Sequence, residues 1–204
     1  KVPIHVIPLG IDPNYYNPAI KSYKQHNKYT FLSVFEWGER KAPEILLKAY
    51  SKAFNKTDEV VLICKVINND GSIDINEEIR KLNLPDDGPE IIFLYNTKFA
   101  DYDMPTLYRS ADCFVISTRG EGWGMPILEA MACGLPVIAT NWSSQVDFFN
   151  ENNGYPVDVE SLIDAKAKCP YYEGFQWANP SEEHLIFQMR YVYEHQSEAK
   201  EKGL

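Results

Sequence analysis

The sequence predicts a doubly wound α/β domain on a six-stranded parallel sheet. Two observations carry this. Strand-like and helix-like segments alternate from about residue 28 to residue 157. Several of the strand segments are apolar on both faces, which is the pattern of a parallel sheet covered by helices on both sides.

The elements follow in order. KYTFLSVFE is short, aromatic and β-branched, and gives β1 (30–36). Pro43 suits a first helical turn, and Ile45, Leu46, Ala49, Tyr50 and Ala53 then recur at helical spacing to about Phe54. VVLICKV forms the heart of β2 (59–66), and the Asn68-Asn69-Asp70-Gly71 cluster turns the chain into a helix over 75–82. A Pro/Asp/Gly-rich break precedes β3 (90–95). Asp103 and Pro105 read as N-cap and first turn of a helix through Leu107-Tyr108-Arg109. β4 (112–117) is almost wholly apolar, a helix from Pro126 to Cys133 ends at Gly134, and β5 (136–140) and β6 (154–157) complete the sheet. Residues 158–180 look irregular, with Pro170, Gly174 and Pro180, and Ser181 is expected to cap a final helix. The predicted strand order is 3-2-1-4-5-6, a Rossmann-like arrangement.

The chain has 204 residues and a formal charge of −9. An acidic balance argues against a nucleic-acid-coating surface, so no nucleic-acid partner is expected. The 204 residues can bury a core without disulfides or metals. Cys64, Cys113 and Cys133 lie in apolar runs, and no cysteine forms a C-x-x-C pair, so reduced thiols and a cytoplasmic setting are expected. The chain starts without Met, at Lys1-Val2-Pro3-Ile4, and reads as a fragment. The histidines fall outside the candidate loops.

In this strand order β1 and β4 are neighbours whose connections leave in opposite directions. That opens a ligand crevice at their carboxyl ends. The loops lining it are Glu36–Ala42 and Ser117–Met125. The second carries three glycines in five residues, Gly120, Gly122 and Gly124, so its backbone can approach a ligand closely. The free N–H groups and dipole of the helix that follows favour an anion such as a diphosphate. Arg40 and Lys41, with Arg119 as a third cation, would gather positive charge there in an otherwise acidic protein. Taken singly, the basic residues read equally as solvated surface. Glu121 lies in the loop and Glu129 one turn inside the helix, its side chain able to lean back toward the N-terminus and accept hydroxyl groups of a sugar. The plainer reading of Glu129 is a favourable position against the helix dipole.

The string Glu121-Gly122-Trp123-Gly124-Met125-Pro126-Ile127-Leu128-Glu129-Ala130 resembles the E-x7-E signature of retaining GT-B glycosyltransferases of family 4. Met131 to Thr140, the Leu107–Asp112 segment, and the Ile7-Pro8-Leu9-Gly10-Ile11-Asp12 opening are also similar to that family, the last to its hinge between domains. The resemblance implies a C-terminal donor-binding domain at 21–204, preceded by a hinge at 1–20 from an acceptor domain outside the chain. It implies a UDP- or GDP-linked sugar as donor, a glycan, lipid or protein acceptor, and no metal or other cofactor. Glu121 would contact the donor sugar as the catalytic residue and Glu129 the ribose. The amides of Gly122, Trp123, Gly124 and Met125 would serve the diphosphate and sugar, with Lys41 holding the diphosphate. The base would rest near Tyr95 and Asn96. The family's usual basic residue five positions before Lys41 is Glu36 here, which leaves open whether Arg40 compensates. Alone, the fragment is expected to bind donor weakly and transfer little sugar, and the whole enzyme could lie on a membrane surface.

Other readings stand beside this one: a sugar-nucleotide epimerase of similar architecture, a degenerate non-catalytic module, and a two-carboxylate glycosidase, which the placement of both glutamates on one loop-helix unit disfavours. The Asp101-Tyr102-Asp103 string matches a metal motif of a different glycosyltransferase fold, and a helix-capping role for Asp103 fits its position better. The aromatic stretch from Tyr171 to Trp177 reads first as packing and second as an acceptor-side or interdomain surface.

Overall fold

A computed structural model describes residues 2, 3, 5, 7–24, 26–97, 103–165 and 172–204. Its centre is a six-stranded sheet in the order β3-β2-β1-β4-β5-β6. The strands are β1 (Tyr29–Glu36), β2 (Val60–Ile67), β3 (Glu90–Tyr95), β4 (Cys113–Ile116), β5 (Val137–Thr140) and β6 (Tyr155–Val157), and every pairing is parallel. The predicted order holds, with ends shifted by one residue in most strands. Four residues of β4 and four of β5 are all buried, as expected for strands covered on both faces.

The helices between them are α1 (Pro43–Ala53), α2 (Ile75–Lys81), α3 (Met104–Arg109) and α4 (Met125–Ala132). Pro43 opens α1, and all five apolar positions read from its sequence are buried. The side chain of Asp74 accepts the N–H groups of Asn76 and Glu77 and so caps α2. α4 ends where Gly134 turns left-handed at φ 75°, with Leu135 N–H returning to the Ala130 carbonyl. A side chain at Gly134 would press on Pro18, so the N-terminal segment packs against this turn. Asp103 occupies the N-cap position of α3, but its side chain makes no capping bond, contrary to expectation.

Residues 158–180 are more regular than their composition indicates. β7 (Val159–Asp164) and β8 (Gln176–Pro180) pair antiparallel as a separate two-stranded ribbon. Ser181 then caps α5 (Glu182–Glu194) by accepting the His184 N–H, and a further helix, α6 (Gln196–Gly203), follows it. α5 packs along α1, and so closes one face of the sheet. Cys64, Cys113 and Cys133 are buried free thiols, their ionisation pushed up by burial. Cys169 lies outside the described residues. Among the described residues no helix is long and apolar enough to cross a membrane.

Candidate donor-binding site

β1 and β4 lie side by side, Phe31 opposite Cys113 and Leu32 opposite Phe114, so the two loops leaving them emerge together. They are stitched to one another. Arg119 N–H donates to the Arg40 carbonyl at 2.8 Å, and the Ser117 hydroxyl donates to the Ala42 carbonyl at 3.0 Å. The first loop closes as a 3-10 turn over Glu39–Lys41 and enters α1 through Ala42.

Backbone strain concentrates on this edge of the sheet. Among the described residues, four non-glycine positions have positive φ, and three of them follow strands at their carboxyl ends: Ala42 after β1, Asn96 after β3 and Ser143 after β5. Ser143, at φ 73° and ψ −159°, sits in a region almost restricted to glycine. Its hydroxyl grips both backbone polar groups of Glu121, accepting from its N–H at 3.1 Å and donating to its carbonyl at 2.7 Å. The Ser144 hydroxyl donates to the same carbonyl at 2.9 Å. The β5 loop thus fixes where Glu121 stands. Local sequence gave no sign of it; the adjacency of β5 to β4 was the available signal.

The Glu121 carboxylate lies between Lys41, whose ammonium donates to it, and Arg40, whose guanidinium approaches to 3.3 Å and also donates to the Gly120 carbonyl. Lys41 and Glu121 are nearly buried, with side chains 11% and 8% exposed. Burial pushes the Lys41 ammonium below the ordinary lysine range, and Glu121 opposes that shift in part. Glu36 is exposed, receives a hydrogen bond from Asn69 at 3.0 Å, and adds to the negative field at Lys41.

α4 begins at Gly124, which turns left-handed at φ 90° with no side-chain cap. Of the three loop glycines it alone has positive φ. Ile127 and Leu128 N–H groups both return to the Gly124 carbonyl. The N–H groups of Gly122, Trp123, Gly124 and Met125 have no acceptor among the described residues. They are the donors a helix N-terminus offers to an anion. A side chain at Gly122 would meet open space. Trp123 packs on Phe148 with ring centres 5.4 Å apart, and its indole N–H is buried without a partner.

Four of the predicted residues have partners within the chain. Arg119 is not a free third cation. Its guanidinium donates to the Glu39 carbonyl and pairs with Glu44 at 2.6 Å, which braces the β1 loop. Glu129 is held by phenols: the Tyr108 hydroxyl donates to it at 2.6 Å, and Tyr16 from the N-terminal segment bonds it as well. Both tyrosines have their ionisation pushed up, first by burial and then by that carboxylate. At the end of β3, Tyr95 stacks almost parallel on Phe93, and the Asn96 side chain accepts from Asn68 N–H at 2.9 Å. Both lie on the same edge as the Gly-rich loop but two strands beyond β1. No cluster of three potential metal-ligating side chains converges among the described residues. Asp101 and Tyr102 of the D-x-D string, and Tyr171, fall outside them.

Fold and edge together define a class: a doubly wound domain whose switch-point crevice sets unpartnered amides beside a Lys41–Arg40–Glu121 cluster. The chain belongs to the glycosyl transferases group 1 family, whose model matches residues 19–169. It is 29% identical over 151 residues to mannosylfructose-phosphate synthase of Agrobacterium fabrum, covering 67% of this chain and 32% of that protein. It is 52% identical over 64 residues to O-antigen chain mannosyltransferase B of Escherichia coli, covering 30% of this chain and 17% of that one. Among solved structures it resembles Anabaena HepE, determined with UDP and glucose, at a TM-score of 0.70 and 19% identity over 95% of this chain and 48% of that chain. The C-terminal domain of the Francisella tularensis group 1 protein LpcC gives a TM-score of 0.69 at 20% identity, covering 95% of this chain and 92% of that one. The fold is therefore that of the C-terminal half of GT-B glycosyltransferases. The chain spans about a third of the length of the first of these relatives.

Proposed function

We propose that this chain is the donor-binding half of a retaining glycosyltransferase, taking a UDP- or GDP-linked sugar and presenting it to an acceptor held by a second domain. One observation carries the reading. The unpartnered amides of residues 122–125 and the cations Lys41 and Arg40 meet at the carboxyl ends of β1 and β4.

In this reading the diphosphate competes with Glu121 for Lys41 and Arg40. Arg40 takes the place of the basic residue that Glu36 replaces. Released from its ion pairs, the Glu121 carboxylate turns to hydroxyls of the donor sugar. As the glycosidic bond breaks, charge grows on the departing diphosphate, and fixed amide dipoles and cations stabilise that charge more than the ground state. Glu129 accepts the ribose hydroxyls, its orientation set by Tyr108. The base lies toward the end of β3, by Tyr95 and Asn96. The relative solved with UDP supports the same class of ligand.

Calorimetric titration with UDP and GDP tests this. One-to-one binding of either supports it. The absence of heat with both would refute it and favour a non-catalytic module.

A further inference from the structure

The Gly-rich loop has a second side. Beside Gly120 lies a pocket of about 440 Å³, lined on the aromatic side by Trp142, Tyr172, Phe175 and Trp177 and continuous with the donor loop through Arg40, Glu121 and Gly122. That volume falls within the range of about 300–1,000 Å³ usual for small-molecule sites. We propose that this pocket is a saccharide subsite, holding a pyranose ring of the acceptor; the acceptor assignment rests on the donor reading above.

Three features point to a sugar. First, aromatic faces are left open to solvent: Phe175 is 65% exposed and Trp142 37%. Beside them Tyr172 stands edge-on to Trp177 at 5.4 Å, so the wall carries several rings, not one stray side chain. Pyranose rings present C–H groups on their faces and hydroxyls on their rims, and aromatic faces flanked by hydrogen-bonding groups match both. A lipid chain would find charged and hydroxyl groups in its path. Second, the polar groups are fixed. Ser143 is held in a strained conformation by its two bonds to Glu121, and Arg40 by the Gly120 carbonyl. Strain of this kind persists where the surroundings enforce it, and it clusters at ligand sites. Third, the wall is tied to the donor loop. β8 joins it through Ala178 N–H to the Arg119 carbonyl at 3.1 Å, and Trp177 lies within 4.0 Å of where a side chain on Gly120 would stand. Glu121 borders both this pocket and the cation pair, so a ring bound here abuts the reacting sugar.

The test uses saturation-transfer NMR on this chain, with methyl α-mannopyranoside and methyl α-glucopyranoside as probes. Protein aromatic protons should pass saturation to the face protons of at least one glycoside. Phe175→Ala should cut that transfer by about fivefold or more, and Trp142→Ala should act alike. Phe175 is exposed, so its variant should melt with the parent. UDP and GDP affinities of the Phe175 variant should stay within about twofold, since the proposed phosphate donors are Lys41, Arg40 and backbone amides, none of which the substitution alters. No transfer to either glycoside, or equal transfer in both variants, overturns the subsite; a second domain covering these rings would give that result in the intact protein only. Nucleotide titration of the same samples separates the two readings. Glycoside transfer without heat from UDP or GDP refutes the donor reading and keeps a saccharide site. Heat without glycoside transfer refutes the subsite alone.

Discussion

Glu121 and Glu129 are eight residues apart on one loop-helix unit, yet their surroundings differ in kind. Glu121 lies against an ammonium and a guanidinium, with its peptide clasped by two serines. Glu129 lies against phenolic hydroxyls, from Tyr108 on α3 and Tyr16 in the N-terminal segment. A carboxylate between cations is a stand-in for the anion those cations can bind, and it must yield when the anion arrives. A carboxylate held by neutral donors keeps its charge and its orientation, and suits a ligand that offers hydroxyls. Under the proposed donor reading, the same side chain would serve two ends of one ligand because the neighbours differ, not because the residue does.

The largest effect that would sharpen this contrast is expected at Lys41. Lys41→Ala should weaken UDP or GDP binding by about 10–100-fold, the scale of one or two charge-assisted hydrogen bonds, as read by calorimetry. A loss under about twofold would place the phosphate elsewhere. Glu121→Gln should act in the opposite direction. Removing the competing charge should tighten binding of the free nucleoside diphosphate by about tenfold, while sugar transfer by the intact enzyme falls. If affinity drops instead, Glu121 is not the competitor described.

Lys41 also sets a pH dependence. Its ammonium is pushed below the ordinary lysine value of 10.5 by burial. Below that lowered value it is charged and available to a phosphate. As pH rises through it, binding should weaken by up to about tenfold per pH unit, because binding takes up the proton. For folding the sign reverses: the buried charge costs stability at lower pH, and the cost fades as pH climbs from the lowered value toward 10.5. Titrations from about pH 7 to about pH 10 check this, and Lys41→Arg, charged throughout, should flatten the slope.

The smallest effect concerns the phenol side. Tyr108→Phe removes one donor from Glu129 and should weaken nucleoside diphosphate binding by about three- to tenfold, about 1 kcal/mol. Inorganic pyrophosphate, which lacks a ribose, should bind this variant as it binds the parent. Equal losses for both would erase the distinction between the two glutamates.

Much of the sheet was legible because its strands are continuous apolar runs and its turns carry strong breakers. The meeting of the β1 and β4 loops followed from strand order alone. What escaped has identifiable causes. VESLID and QWANP form the β7–β8 ribbon, but most of β7 faces solvent, so no alternating pattern marked it. α6 buries only Ala199 and reads as polar throughout. The basic character of Arg119 was visible, but its partner Glu44 lies 75 residues away, and no local rule aims a side chain that far. Ser143 matters through a strained backbone angle that its residue type conceals. Glu129 was recognisable by spacing, whereas the tyrosines that hold it come from two other parts of the chain.

The proposed seat of the nucleoside diphosphate is the start of α4. Amide shift mapping by 15N–1H correlation NMR during a UDP titration, repeated with GDP, tests it most directly. The largest shifts should fall on Gly122, Trp123, Gly124 and Met125, with Lys41 beside them. Binding that leaves those four amides unmoved, with the largest shifts at the opposite, amino-terminal ends of the strands, would place the diphosphate elsewhere.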